Sequence, residues 1–427
     1  MNKILVVLSL LFVLVGCKEP LPKESHIMPA EWEMQDAVMI NYSGPSEFSS
    51  MVEGVHSGTR DIIRELAAIT KVYVLINEDY NKDSLSRLFH AANIDTSHIV
   101  LLPVYELFSM GVPRDYGPIV VKDADGKNKL MRFHWDYVGA DFYDRDTAWA
   151  KRREAIRDRY FEQMSQLLKM DVVRNPLAIE GGEIELNGNG VALLVDSFCR
   201  KRNPSFNQSQ FDSLLASSLG VKKVIWLREG VAEDPGPVPR KSIVEDIYGY
   251  GVGGHVDEFA RFANKNTVLL AMATKEEAAS DPLKKINYDR MNVNLDILKK
   301  ATDVEGKPFD IVFMPIPDVN PVTYKIDTAN MDFPVSVFYS DHPEWKQGDS
   351  IRFMPAVSYL NYLVFNDRVL IPKYYKKGFP ESCMEKDALA KALFEKHFPG
   401  KKIIQIDPWG VNFAGGGIHC WTQQIPK

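Results

Sequence analysis

The sequence predicts an α/β fold built as one large domain. Short apolar runs of four or five residues alternate with longer segments that are apolar on one face only, which is the signature of strands interleaved with amphipathic helices. No low-complexity linker divides residues 28–427, so one domain is favoured over two. Polar and acidic side chains, a histidine and a cysteine sit in glycine-rich turns rather than on helix faces. At 45% hydrophobic content in 427 residues, a large core is easily filled.

Taken in order, Met1-Asn2-Lys3 supplies a positive start, and Ile4 to Val15 is apolar except for Ser9. Twelve residues are too few to span a bilayer, so this is read as a secretory signal. Leu14-Val15-Gly16-Cys17 resembles the cleavage site of a bacterial lipoprotein, with Cys17 as the lipidated residue, residues 18–27 as a tether, and an exported, membrane-anchored protein as the result. Cys199, Cys383 and Cys420 then remain, and an odd number leaves at least one free thiol. No CxxC or HExxH pattern is present and no metal site is predicted. The net charge of −6 offers no footprint for nucleic acid.

Strands are expected at Val72–Ile76, Ile99–Leu102, Val191–Val195, Lys223–Leu227, Thr267–Ala271 and Ile311–Met314. Helices are expected at Asp61–Ala68, Lys151–Lys169, Gln208–Leu219, Lys284–Lys300 and Lys386–His397. Residues 229–254, with Pro235, Pro237 and Pro239, read as a long loop ahead of a chemical motif.

Four stretches carry chemistry. Arg114-Asp115-Tyr116-Gly117-Pro118 is a turn before a strand, and Ile179 to Leu186 reads as a strand containing Gly181-Gly182. In Gly253-Gly254-His255-Val256-Asp257, an extended backbone would turn His255 and Asp257 to the same face. Gly415-Gly416-Gly417-Ile418-His419-Cys420 reads as a glycine-softened terminal strand that brings up a cysteine. A thiol nucleophile, an imidazole that carries protons and two carboxylates suit attack on a guanidinium, whose planar N–H fork is matched by paired carboxylates.

This ordered set resembles the agmatine deiminase and bacterial-type peptidylarginine deiminase family, with further matches at Met28-Pro29-Ala30-Glu31-Trp32-Glu33, Arg202-Asn203-Pro204 and Ser358-Tyr359-Leu360-Asn361. The resemblance implies a five-bladed α/β propeller of ββαβ units around a central site. It assigns Cys420 as nucleophile, His255 as general acid and base, and Asp115 with Asp257 as the guanidinium clamp, with no cofactor or metal. Glu180 joins the expected substrate-binding residues. Trp135 is either a remaining aromatic wall or a core tryptophan. The implied reaction is hydrolytic deimination of agmatine or an arginine derivative through a Cys thiouronium, releasing ammonia and a ureido product.

The chain departs from the family at Val112, where a tryptophan is usual, and at Glu183, where a carboxylate either binds a substrate amine or faces water. Peptidylarginine on extracytoplasmic peptides is the alternative substrate. Amidino transfer and a non-catalytic surface lipoprotein that captures arginine-like ligands are the other readings. Cys199 is read as structural, near the end of a strand.

Overall fold

The computed structural model describes residues 25–42, 52–104, 112–135, 147–236, 241–332, 334–413 and 415–427. The signal segment and Cys17 lie outside these. The described chain joins the body at His26, which is buried and whose N–H donates to Ser217 O at 2.7 Å, while Ile27 bridges to Lys122. Two of the residues expected in the tether, His26 and Ile27, are thus held to the body, and 18–24 lie outside the described residues.

One arrangement recurs five times: an antiparallel strand pair, a helical crossover, and a third strand parallel to the second. It is built from Thr422–Pro426, Gln35–Asn41 and Lys71–Asn77; from Ile119–Lys122, Asn128–His134 and Val172–Ala178; and from Glu185–Leu186, Val191–Val195 and Lys223–Leu227. The fourth uses Ala260–Asn264, Thr267–Ala271 and Asp310–Met314, and the fifth Leu363–Phe365, Arg368–Pro372 and Lys402–Ile406. The first unit is formed from both chain ends and carries a fourth strand, Ile99–Val104. A further sheet of Ile247–Gly249, Ser350–Met354 and Val322–Lys325 stands outside the repeat. Parallel neighbours need a long crossover, which explains why each unit contains at least one helix.

The mixed α/β class follows the expected alternation, and Val191–Val195, Lys223–Leu227, Thr267–Ala271 and Gln208–Leu219 fall on their expected bounds. Val191–Val195 is buried at all five positions because protein covers both faces, hence its unbroken apolar run. Helix Gln208–Leu219 begins with a capping box between Asn207 and Gln210 and stops at Gly220, where φ is +73°. Four helices begin earlier than expected, at Val52, Thr147, Pro282 and Glu381.

The described parts of the 229–254 segment, 229–236 and 241–254, are more ordered than a loop. They contain strand Ile247–Gly249 and are pinned by helix Pro282–Lys300. Asn294 accepts from Arg228 N and donates to Glu229 O; Asn287 accepts from Ala232 N and donates to the Glu233 carboxylate. Asp234 in turn accepts from Val252 N at 2.7 Å and Gly253 N at 3.2 Å, which fixes the approach to His255.

Candidate active site

Each repeat delivers a polar residue just ahead of its first strand. Asp115 lies in the helical turn Pro113–Tyr116 before Ile119, and Glu180 caps the 3₁₀ turn Gly181–Glu183 before Glu185. His255 caps the 3₁₀ turn Val256–Glu258 before Ala260, Asn361 precedes Leu363, and Cys420 precedes Thr422. A polar group at the mouth of an apolar strand costs less than one within it, because turns leave it free to find partners.

These are turns, not strands, which corrects three expectations. The stretch from Ile179 to Leu186 is interrupted by its 3₁₀ turn, and Cys420 stands in the turn after helix Trp409–Phe413, with Gly415 at φ +93°. His255 and Asp257 are not same-face residues of a strand; they flank Val256 in a tight turn and bond to different partners. The alternation argument failed because the glycine pair releases the backbone from extension before the strand starts.

His255 is fully buried, with Nε2 2.9 Å from Glu180 Oε2 and Nδ1 3.6 Å from Asp115 Oδ1. Glu180 Oε1 accepts from Trp135 Nε1 at 2.8 Å and from Arg202 Nη2 at 3.1 Å. Both Glu180 oxygens are thus engaged within the protein, and Trp135 is tied to His255 through Glu180. Trp135 packs into the core beside Tyr116 and Tyr160.

Around the thiol, Asp257 Oδ2 lies 2.6 Å from His419 Nδ1, 3.2 Å from Asn361 Nδ2 and 3.5 Å from Cys420 Sγ. Glu258 Oε1 accepts from Asn361 Nδ2 at 2.7 Å and lies 3.8 Å from Sγ. Asn361 also accepts from Cys420 N at 3.1 Å. Among the described residues, Asp115 Oδ1, Asp257 Oδ1, Glu258 Oε2 and His255 Nδ1 are buried without a hydrogen-bond partner. The three unpaired carboxylate oxygens are costly and call for a donor-rich ligand.

Glycines make room for this packing. A Cβ on Gly182 would lie 2.4 Å from His255 Nδ1 and 3.2 Å from Asp115 Oδ1; one on Gly416 would lie 2.8 Å from Cys420 Sγ. The Asp257, Glu258 and Cys420 acceptor atoms lie within 4.8 Å of one another, but Asn361 Nδ2 sits at 3.2, 2.7 and 3.1 Å from them, filling the point an ion would occupy.

Burial raises the Asp115 pKa to about 8, with the Glu180 and Asp257 charges adding to it against His255. Burial also favours a neutral Glu180 and a neutral His255, yet their charges prevail: Arg202 and His255 hold Glu180 at about 2, and Asp115 and Glu180 push His255 well above the usual imidazole range. Burial and the charges of Asp257, Glu258 and Asp115 drive the Cys420 thiol well up. Burial and the Asp257 charge raise Glu258.

Glu183 neither faces water nor reaches towards a ligand. It is fully buried, ion-paired to Arg202, accepts from Glu180 N at 3.0 Å, and receives the Cys199 thiol at 3.2 Å. Cys199 itself is on helix Asp196–Arg202 and buried. Cys199, Cys383 and Cys420 are all free thiols. Val112, at the start of the Asp115 turn, packs against the apolar cluster around Tyr42 and Phe89.

Sequence reasoning did not assign Glu258, Asn361, His419, Glu31 or Arg202. Asn361 and Arg202 stood inside motifs already singled out, and Glu258 directly follows Asp257.

Residues 27–426 match the model of the Porphyromonas-type peptidyl-arginine deiminase. The chain belongs to this family. A protein of Selenomonas ruminantium named as a candidate agmatine deiminase is 26% identical over 422 residues, covering 96% of this chain and 98% of its own length. Its counterpart from Shewanella frigidimarina is 27% identical over 406 residues, covering 94% of each. Among solved structures, the agmatine deiminase of Enterococcus faecalis superposes with a TM-score of 0.70 at 21% identity, covering 94% of this chain and 96% of that one. A candidate arginine deiminase of Porphyromonas gingivalis gives 0.67 at 21%, covering 94% and 99%. The last two establish the shared mixed α/β fold.

Proposed function

We propose that this member of the family hydrolyses a guanidinium C–N bond, of agmatine or an arginine derivative, with Cys420 as nucleophile. The observation that carries the reading is the buried thiol beside the carboxylates of Asp257 and Glu258, each of which, like Asp115, keeps one buried oxygen without a hydrogen-bond partner. A guanidinium brings five N–H donors in a plane and one positive charge, and so answers both the missing donors and the excess negative charge.

The chemistry follows from the charge states. In the empty site burial, together with the charges of its carboxylate neighbours, Asp257 first, holds the thiol protonated. A bound cation offsets those charges, so the proton is lost and the thiolate attacks the guanidinium carbon, forming a C–S bond. His255, raised well above the usual imidazole range, holds the proton that the departing nitrogen needs. Ammonia leaves with the C–N bond, and a positively charged thiouronium remains on Cys420. Water then gives a proton to His255 and adds to that carbon. Collapse expels the Cys420 thiolate and yields the ureido product, the extra proton leaving on ammonia as ammonium. The five repeats, each presenting one polar turn to this centre, support a five-bladed arrangement around it.

The family model is named for peptidyl-arginine, whereas the relatives reported above are named for agmatine, so a peptide substrate is the second reading. The N-terminal Leu14-Val15-Gly16-Cys17 supports export and anchoring through a lipid on Cys17, which Cys17→Ala would abolish in a detergent-partition assay. Release of ammonia and ureido product from agmatine, free arginine and arginine peptides decides among the substrates. Binding without product from any of them would favour a non-catalytic receptor, and undiminished turnover by Cys420→Ser would overturn the mechanism.

A further inference from the structure

His419 stands beside the nucleophile, yet the mechanism above does not use it. It is completely buried, and both ring nitrogens end on carboxylates: Nδ1 on Asp257 Oδ2 at 2.6 Å, Nε2 on Glu31 Oε1 at 2.7 Å. Glu31 lies 388 residues away in the chain, in the segment before the first strand. Its other oxygen accepts from Arg261 Nη2 at 2.7 Å, and Oε1 also meets Arg114 Nη1 at 3.3 Å. Arg261 is held by Glu185 at 2.6 Å and by the carbonyls of Leu360 and Tyr362. Arg114 is held by Gln424 and by His419 O.

The wiring is specific to the clamp. Arg114 adjoins Asp115, its backbone N–H donates to Cys420 O at 3.3 Å, and His419 adjoins Cys420. Asp257 Oδ2 is taken by the imidazole and Asn361, whereas Asp257 Oδ1 has no partner. A carboxylate free to rotate would exchange these two oxygens; one held at 2.6 Å by an imidazole that is itself held at its far nitrogen does not. With a carboxylate at each nitrogen, the ring satisfies both when it carries two protons, and Glu31 at Nε2 fixes the ring plane from its far end so that Nδ1–H points at Asp257.

We propose that Glu31 and His419 are positioning residues for the substrate cation: they lock Asp257 with Oδ2 turned to the imidazole and Oδ1 turned to the guanidinium. This rests on the deiminase reading for its turnover measurements but not for its binding measurement. The locked carboxylate is useful to binding first, because an ionised acceptor in a fixed direction is what a planar cation meets.

The test compares Glu31→Gln and His419→Asn with the parent protein. Asparagine can keep a donor near the Nδ1 position while cutting the link to Glu31, and glutamine at 31 keeps an acceptor for Arg261. Both variants are expected to raise KM for the guanidino substrate tenfold or more, with kcat within about threefold and the rate of Cys420 alkylation by iodoacetamide little changed. The same substitutions in a Cys420→Ser background should weaken calorimetric binding of methylguanidine by the same factor. KM and methylguanidine affinity within twofold of the parent in folded variants would overturn the proposal, as would a loss of kcat at unchanged KM. If the parent binds methylguanidine but converts no substrate, the deiminase reading fails, and the binding comparison still decides the positioning role. If the parent does not bind methylguanidine at all, both fail.

Discussion

Substrate binding should expel a proton, and the Asp115 carboxyl is its source. With its pKa at about 8 in the empty site, Asp115 is about nine-tenths protonated at pH 7, whereas a guanidinium partner requires the carboxylate. Ionising it costs about 1.4 kcal/mol at pH 7 and about twice that at pH 6. Affinity for a simple alkylguanidine, which stays cationic throughout, is therefore expected to rise about ninefold from pH 6 to 7 and about fivefold from pH 7 to 8, then level off. Cys420→Ser removes turnover, so calorimetry on that variant reads binding alone. Titrations at pH 7 in buffers of different ionisation enthalpy should report release of about 0.9 proton, falling to about 0.1 at pH 9. Asp115→Asn should weaken binding at pH 8 and flatten the profile. A pH-independent affinity in the parent, or proton uptake instead of release, would refute the reasoning.

Other perturbations separate chemistry from scaffold. Cys420→Ser should lower kcat by at least about 10³-fold while retaining substrate binding, as measured by product release and calorimetry. Gly182→Ala drives a methyl against His255 Nδ1 and Asp115 Oδ1, and should cost about a hundredfold in kcat with a Tm change of only a few degrees. Glu183, raised by burial to about 7, binds its proton more tightly folded than unfolded, so its stabilising contribution is complete below the unfolded carboxyl range and is lost as pH rises through 7. Thermal unfolding of Glu183→Gln should consequently show a Tm that declines less than that of the parent between pH 5 and pH 7.5.

The residues that matter most chemically were legible because their types are unusual in their settings: a cysteine after three glycines, a histidine two before an aspartate, an aspartate in a proline-bracketed turn. Strands such as Thr267–Ala271 were legible because burial on both faces demands an unbroken apolar run. The roles of Glu180 and Trp135 were not. A carboxylate that binds a ligand and one that binds Arg202 and a histidine look alike in sequence, and only their contacts in the folded chain distinguish them. Glu183 makes the same point, since its burial depends on Arg202 and Cys199 from a helix that comes two strands later.

By itself, the amino-acid sequence determined the α/β class, most of the strands and helices, and the choice of Cys420, His255, Asp115 and Asp257 as candidates for nucleophile, proton carrier and clamp, because each rests on local pattern or on the chemistry of one side chain. Only the tertiary structure decided that five turns from five repeated units meet, that the first unit is closed by joining residues 35–41 to 422–426, and that Glu31 reaches His419 across 388 residues. Those are contacts between distant segments, and no local periodicity records the partner. Geometry also decided the protonation pattern, since the pKa of Asp115 or His255 depends less on its own identity than on which charges burial has placed beside it.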